Sequence, residues 1–218
     1  MIDEILKYHE RIKYGIKHVF YKNKDKDFLF VSFSGKVDFY CNVSWFYRNK
    51  EVDGCFLFLK NDPDYDTYTN ESYLDLIKFY CEQYQVKNIM TYGLSMGGIA
   101  SIHYGLLLNA YAILSFDPHP IKYDLLKLYE LIDNYDFDYE KIFINYTLSD
   151  VESDTKIPIH TLNILNKLSK KNIFLVVQPY LSSNHLDFIP SKEYLINIIN
   201  MFDKVKVINH DKKIKNLI

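Results

Sequence analysis

The chain has 218 residues, 48% of them hydrophobic and 25% charged, with 26 basic against 28 acidic side chains. That balance supports a sizeable core in one domain and excludes both a disordered chain and a dedicated nucleic-acid binder, whose phosphate contacts need a clear basic excess. Cys41, Cys55 and Cys81 are odd in number and lack C-x-x-C spacing, so they read as reduced thiols of a cytoplasmic protein.

The opening "MIDEILKYHERIKYG" is acidic and amphipathic, without the apolar centre of a secretory signal, and no run approaches the ~18 apolar residues of a membrane span. No repeat and no Pro/Gly/Ser linker divides the sequence, so one domain over 1–218 is expected. Its core should run from about 28 to 202, after an N-terminal segment (1–27) with a helix and an antiparallel edge strand at "YGIKHVFY", and before a basic tail (203–218). Six near-continuous hydrophobic runs follow in chain order: Phe28–Phe33, Cys55–Leu59, Asn88–Tyr92, Tyr111–Phe116, Lys141–Tyr146 and Ile173–Gln178. Such runs suit strands buried on both faces of a mostly parallel sheet. Between them, "ESYLDLIKFYCEQY", "MGGIASIHYGLLL", "YDLLKLYELI" and "HTLNILNKLSKK" carry apolar residues at helical spacing, and "SKEYLINIINMF" does so near the end. The alternation predicts a three-layer α/β fold with helices on both faces of the sheet. Only Tyr123 to Glu140 is long enough to add a cap over one end, so the cap should be minimal or absent.

In an open parallel sheet, ligands gather beyond the carboxyl ends of the strands. The residues there include Ser34-Gly35-Lys36, Ser95, Asp117-Pro118-His119, Ser149 to Asp154, and Tyr180 to His185. Gly93-Leu94-Ser95-Met96-Gly97 matches G-x-S-x-G between a predicted strand and a predicted helix, the context in which such a serine is a nucleophile on a strained turn. Glycine on either side removes side chains that would collide at so tight a turn.

A serine hydroxyl needs a base to take its proton and a third group to orient that base. On this fold the order is serine, acid, histidine. His185, in the loop after the last strand run, is the expected base. The acid is Asp154 or Asp150, both after the preceding run. Asp154 is preferred because its "DTKIP" resembles the D-x-x-V-P turn that often carries the acid, and because the 31 residues to His185 hold one helix and one strand. The tetrahedral oxyanion needs two backbone donors. Met96 N–H should be one, and an amide of Ser34, Gly35 or Lys36 the other, with Ser34 or Gly35 preferred.

The chain thus resembles the α/β-hydrolase superfamily over roughly Phe28 to Phe202, through the elbow, the "DTKIP" turn and His185 in the right order. "FLFVSFSG" and "YGLSMGG" further resemble bacterial capsule O-acetyltransferases and hydrolase-like accessory secretion proteins that modify glycans. That resemblance implies acetyl transfer from acetyl-CoA, used as a substrate and not as a bound cofactor, to a carbohydrate hydroxyl through acyl-Ser95. Two other readings stay open: a small-ester or thioester hydrolase, and a non-catalytic hydrolase-like component of a glycan assembly or secretion complex. Lys36, Tyr40, Trp45, Arg48 and His119 are candidate substrate contacts, although Trp45 reads more readily as helix packing and His119 as a loop residue held by two prolines. No H-E-x-x-H and no close His/Cys set suggests a metal site.

Overall fold

A computed structural model of the protein describes residues 2–24, 28–35, 40–48, 52–61, 68, 70–119, 125–135, 143–149, 159–171, 174–180, 191 and 193–200. Eight strands form one sheet: β1 (Glu10–Lys13), β2 (Ile16–Asn23), β3 (Phe28–Phe33), β4 (Gly54–Leu59), β5 (Asn88–Leu94), β6 (Ala112–Phe116), β7 (Phe143–Ser149) and β8 (Phe174–Tyr180). Their order is β1-β2-β4-β3-β5-β6-β7-β8. From β4 through β8 all neighbours are parallel, and β1 and β2 join antiparallel at one side.

The parallel strands are where the uninterrupted hydrophobic runs predict them. Every residue of β4 and β6 is buried, as expected of strands covered on both faces. Alternate residues feed opposite layers. Phe30, Phe56 and Phe58 pack with helices α1 (Ile2–His9) and α2 (Val43–Arg48) and with Leu195, Ile198 and Ile199 of a last helix over residues 193–200. Leu29, Val31, Phe33, Leu57 and Leu59 face the other way, toward α3 (Ser72–Gln83) and α4 (Met96–Leu107). The three-layer α/β expectation is met.

One local expectation is corrected, and one open alternative is decided. "YGIKHVFY" was expected to form an edge strand, but β2 lies one place inside the edge. The outermost strand is β1, hairpinned to it through Tyr14 and Gly15, both with positive φ (51° and 75°). The described helix of the segment weighed as a cap, α5 (Leu125–Asn134), is instead part of the layer. Its Leu128 and Ile132 are fully buried against Ile99 and Ile102 of α4 and Ile164 of α6 (Ile159–Ser169).

Candidate active site

Ser95 is the single residue between β5 and α4, buried, with φ 56° and ψ −121°. A serine rarely adopts that conformation, and residues held so cost on the order of 1–3 kcal/mol. Both of its peptide groups are pinned. Ser95 N–H donates to Phe116 O at 3.0 Å, while Ser95 O accepts from the amides of Gly98 (2.9 Å), His119 (3.1 Å) and Ile99 (3.3 Å).

The flanking glycines make the turn sterically feasible. A β-carbon on Gly93 would overlap the carbonyl of Gly97, and one on Gly97 would overlap Phe33 O and come within 2.6 Å of Ser34 O. Backbone on backbone cannot yield as a side chain can. One step further, a β-carbon on Gly98 would lie 3.1 Å from Ser115 Oγ and 3.2 Å from Phe116 O, so the start of α4 rests directly on β3 and β6.

This close packing aligns the carboxyl ends of four strands. β3 pairs with β5 through Phe33↔Gly93, with β4 through Phe33↔Leu59, and β5 with β6 through Leu94↔Phe116. Extending those registers past the strand ends puts Asn61, Gly35, Ser95 and Asp117 in one row. Gly35 adjoins Ser95: a β-carbon on it would sit 3.5 Å from Ser95 Cβ.

The amides around Ser95 differ in availability. Met96 heads α4, where first-turn N–H groups have no intrahelical acceptor. Ser34 N–H donates to Leu59 O at 3.0 Å, so it is committed to the strand ladder, whereas Gly35 stands just beyond the ladder's end. Of the two preferred amides, that of Ser34 is thus already paired within the sheet.

Ser34 has a different connection. Its carbonyl accepts from the hydroxyl of Tyr68 at 2.9 Å, and its own Oγ lies 3.0 Å from the same hydroxyl. Burial pushes the Tyr68 phenol well above its ordinary range, so it is present as an O–H donor. Tyr68 gave no signal in the sequence: it is one of 20 tyrosines, in a stretch with no hydrophobic period.

His119 stands on the rim, partly exposed, with its amide on Ser95 O. Asp117, buried with φ 45°, immediately follows β6 in the same row. Trp45 lies on α2, partly buried against the core with its ring edge to Phe46, and that packing contact matches its plainer reading. Lys36, Asp150, Asp154 and His185 lie outside the described residues. The strands before the last three, β7 and β8, end at Ser149 and Tyr180 on the same sheet edge as Ser95. Among the described residues no cluster of three His, Cys, Asp or Glu could hold a metal, and no helix is long and apolar enough to cross a membrane.

No family model and no curated protein matches the chain. Solved structures do. The capsule O-acetyltransferase of Neisseria meningitidis serogroup A aligns with a TM-score of 0.61 at 17% identity, over 90% of this chain and 92% of that one. Est1E from Butyrivibrio proteoclasticus aligns at 0.58 and 14% identity, over 91% and 96%. The glycosylation-associated Gap123 complex from Streptococcus agalactiae aligns at 0.56 and 15% identity, covering 79% of this chain and 41% of that one. At such identities the likeness speaks for architecture. With the strand order, the parallel registers and the turn between β5 and α4, it establishes that the chain has the α/β-hydrolase fold.

Proposed function

We propose that the chain is a serine-dependent acyl-transfer enzyme that works through acyl-Ser95. The single observation behind this reading is the left-handed Ser95, φ 56°, fixed between β5 and α4 with Gly35 beside it. A chain does not hold a serine in that conformation for packing, because Gly or a relaxed turn would cost less.

In the proposed reaction the carbonyl carbon of an acyl ester or thioester sits against Ser95 Oγ. The Ser95 proton passes to His185, oriented by Asp154 or, failing it, Asp150. Negative charge develops on the carbonyl oxygen and is met by the N–H groups of Met96 and Gly35. Loss of one such donor typically costs about 3–4 kcal/mol of barrier. The leaving alcohol or thiol departs with the proton from His185. A second hydroxyl, from water or from an acceptor, then reverses the steps and frees Ser95. Transfer and hydrolysis differ only in that second nucleophile.

We favour an O-acetyltransferase or esterase acting on bacterial surface or capsular carbohydrate, in the cytoplasm, with acetyl-CoA as the donor in the transferase case. Lys36 and His119 would contact donor or acceptor. The likeness to a capsule O-acetyltransferase and to Est1E supports that choice of class, and the sequence texture around "SFSG" and "YGLSMGG" points the same way. A small-ester or thioester hydrolase would share the whole first half-reaction.

Intact mass after incubation with acetyl-CoA and with activated acetyl esters tests the reading. An added acetyl group that is absent in Ser95→Ala, and discharged faster by a capsule-type oligosaccharide than by water, is the expected result. Discharge indifferent to sugar selects the hydrolase. No adduct and no turnover with any donor favours a non-catalytic role in glycan assembly.

A further inference from the structure

We infer that Tyr68 is the positioning residue of the oxyanion site: its hydroxyl fixes the Ser34–Gly35 peptide so that Gly35 N–H faces the carbonyl oxygen of the bound acyl group. This rests on the reading of Ser95 as the nucleophile.

The geometry is that of one planar peptide. In a trans peptide the carbonyl oxygen of one residue and the N–H of the next point in opposite directions, so fixing one fixes the other. Ser34 O is held on its outer side by Tyr68 O–H at 2.9 Å and lies against Gly97, whose missing β-carbon would come within 2.6 Å of it. Gly35, at the other end of that peptide, adjoins Leu94 and Ser95: a β-carbon on it would lie 3.4 Å from Leu94 O and 3.5 Å from Ser95 Cβ. Glycine is the residue freest to rotate its peptide, so this amide needs an external restraint to remain aimed.

Tyr68 is built to be that restraint. It is 1% exposed, its ring is edge-on to Phe33 at 5.2 Å and to Tyr73 at 5.1 Å, and its carbonyl accepts from Tyr104 O–H at 2.7 Å. The same hydroxyl reaches Leu59 O at 3.3 Å and accepts from Ser34 Oγ at 3.0 Å. It therefore lies where the ends of β3 and β4 meet, beside the Ser34 N–H bond to Leu59 O and the Gly35 amide that follows it.

The test is the second-order rate at which a fluorophosphonate modifies Ser95, its phosphoryl oxygen occupying the oxyanion position, in wild type, Tyr68→Phe and Tyr73→Phe. Tyr73→Phe removes a hydroxyl from the same cluster, one that donates to Lys60 O at 3.2 Å. Removing the aim of one donor should slow Tyr68→Phe roughly tenfold to a hundredfold, below the effect of deleting a donor outright. Tyr73→Phe, whose lost hydroxyl bonds Lys60 O, should stay within about twofold of wild type because no oxyanion donor loses its restraint. On an activated ester, Tyr68→Phe should lower kcat with KM unchanged, as expected for an interaction made only in the transition state.

Tyr68→Phe within twofold of wild type, or an equal loss in both variants, overturns the positioning role and leaves the Ser95 reading intact. A wild type whose Ser95 is never modified overturns both. Should Tyr68→Phe not fold, 15N-glycine spectra of the wild type decide. On phosphonylation the Gly35 amide should move downfield and become protected from exchange, and an unmoved Gly35 amide overturns the inference.

Discussion

If the Ser95 backbone is strained, glycine at this position should be better tolerated than alanine, against the usual order. Ser95→Ala and Ser95→Gly both remove the hydroxyl, but only Ser95→Gly removes the β-carbon that makes φ 56°, ψ −121° unfavourable. Relief of that strain is worth about 1–3 kcal/mol. Against it stands the extra freedom glycine brings to the unfolded chain, about 0.4–1 kcal/mol. The difference should leave Ser95→Gly more stable than Ser95→Ala by about 1 kcal/mol, or about 2–4 °C in Tm for a chain of this size. Paired urea and thermal unfolding curves of the two variants measure it, and slopes in urea confirm that the same surface is exposed. Ser95→Gly less stable than Ser95→Ala by about 1 kcal/mol, as at an ordinary position, would refute the strain argument.

Gly97→Ala should be strongly destabilising, because its β-carbon meets the backbone carbonyls of Phe33, at the end of β3, and of Ser34 just past it; about 3 kcal/mol or more, the upper end for overpacking, should appear as a lower urea midpoint. His18 offers a pH test. It is fully buried on β2, its Nδ1–H donates to Ile16 O at 3.0 Å, and its Nε2 accepts from Tyr80 O–H at 2.7 Å. Burial first, and Arg11 nearby, lower its pKa from the ordinary 6.5. The unfolded chain therefore takes up a proton below pH 6.5 that the folded chain resists, so stability should fall as pH drops below that value toward the folded pKa. The fall should be smaller in His18→Gln, as urea midpoints between pH 7.5 and 5 would show; an unchanged slope would remove His18 as its source.

The parallel core was legible because strands buried on both faces announce themselves as unbroken apolar runs. Cys55–Leu59 and Tyr111–Phe116 fall within a residue of β4 and β6. β1 was not legible for the converse reason. Its "ERIK" has no buried residue, Ile12 is 73% exposed, and the Tyr14-Gly15 turn lacks the Asn or Asp that usually marks a two-residue hairpin. α5 was open to two readings because an amphipathic helix looks the same whether its apolar face covers a site or a neighbouring helix. Leu128 and Ile132 settle it by packing on α4 and α6.

At the site, G-x-S-x-G was readable because glycine at Gly93 and Gly97 is a steric necessity that leaves its mark in one dimension. The choice between Ser34 and Gly35 was not, since it depends on where the β3–β4 ladder ends, and Ser34 N–H is taken by Leu59 O. Tyr68 escaped for the same reason: its hydroxyl acts on a carbonyl 34 residues away.

Peptide mapping after treatment with a fluorophosphonate tests the central claim most directly. The account predicts one stoichiometric phosphonyl adduct, on Ser95 within the Gly93–Gly97 turn, absent from Ser95→Ala and from denatured protein. Modification of another residue, or labelling that persists undiminished in Ser95→Ala, would contradict it.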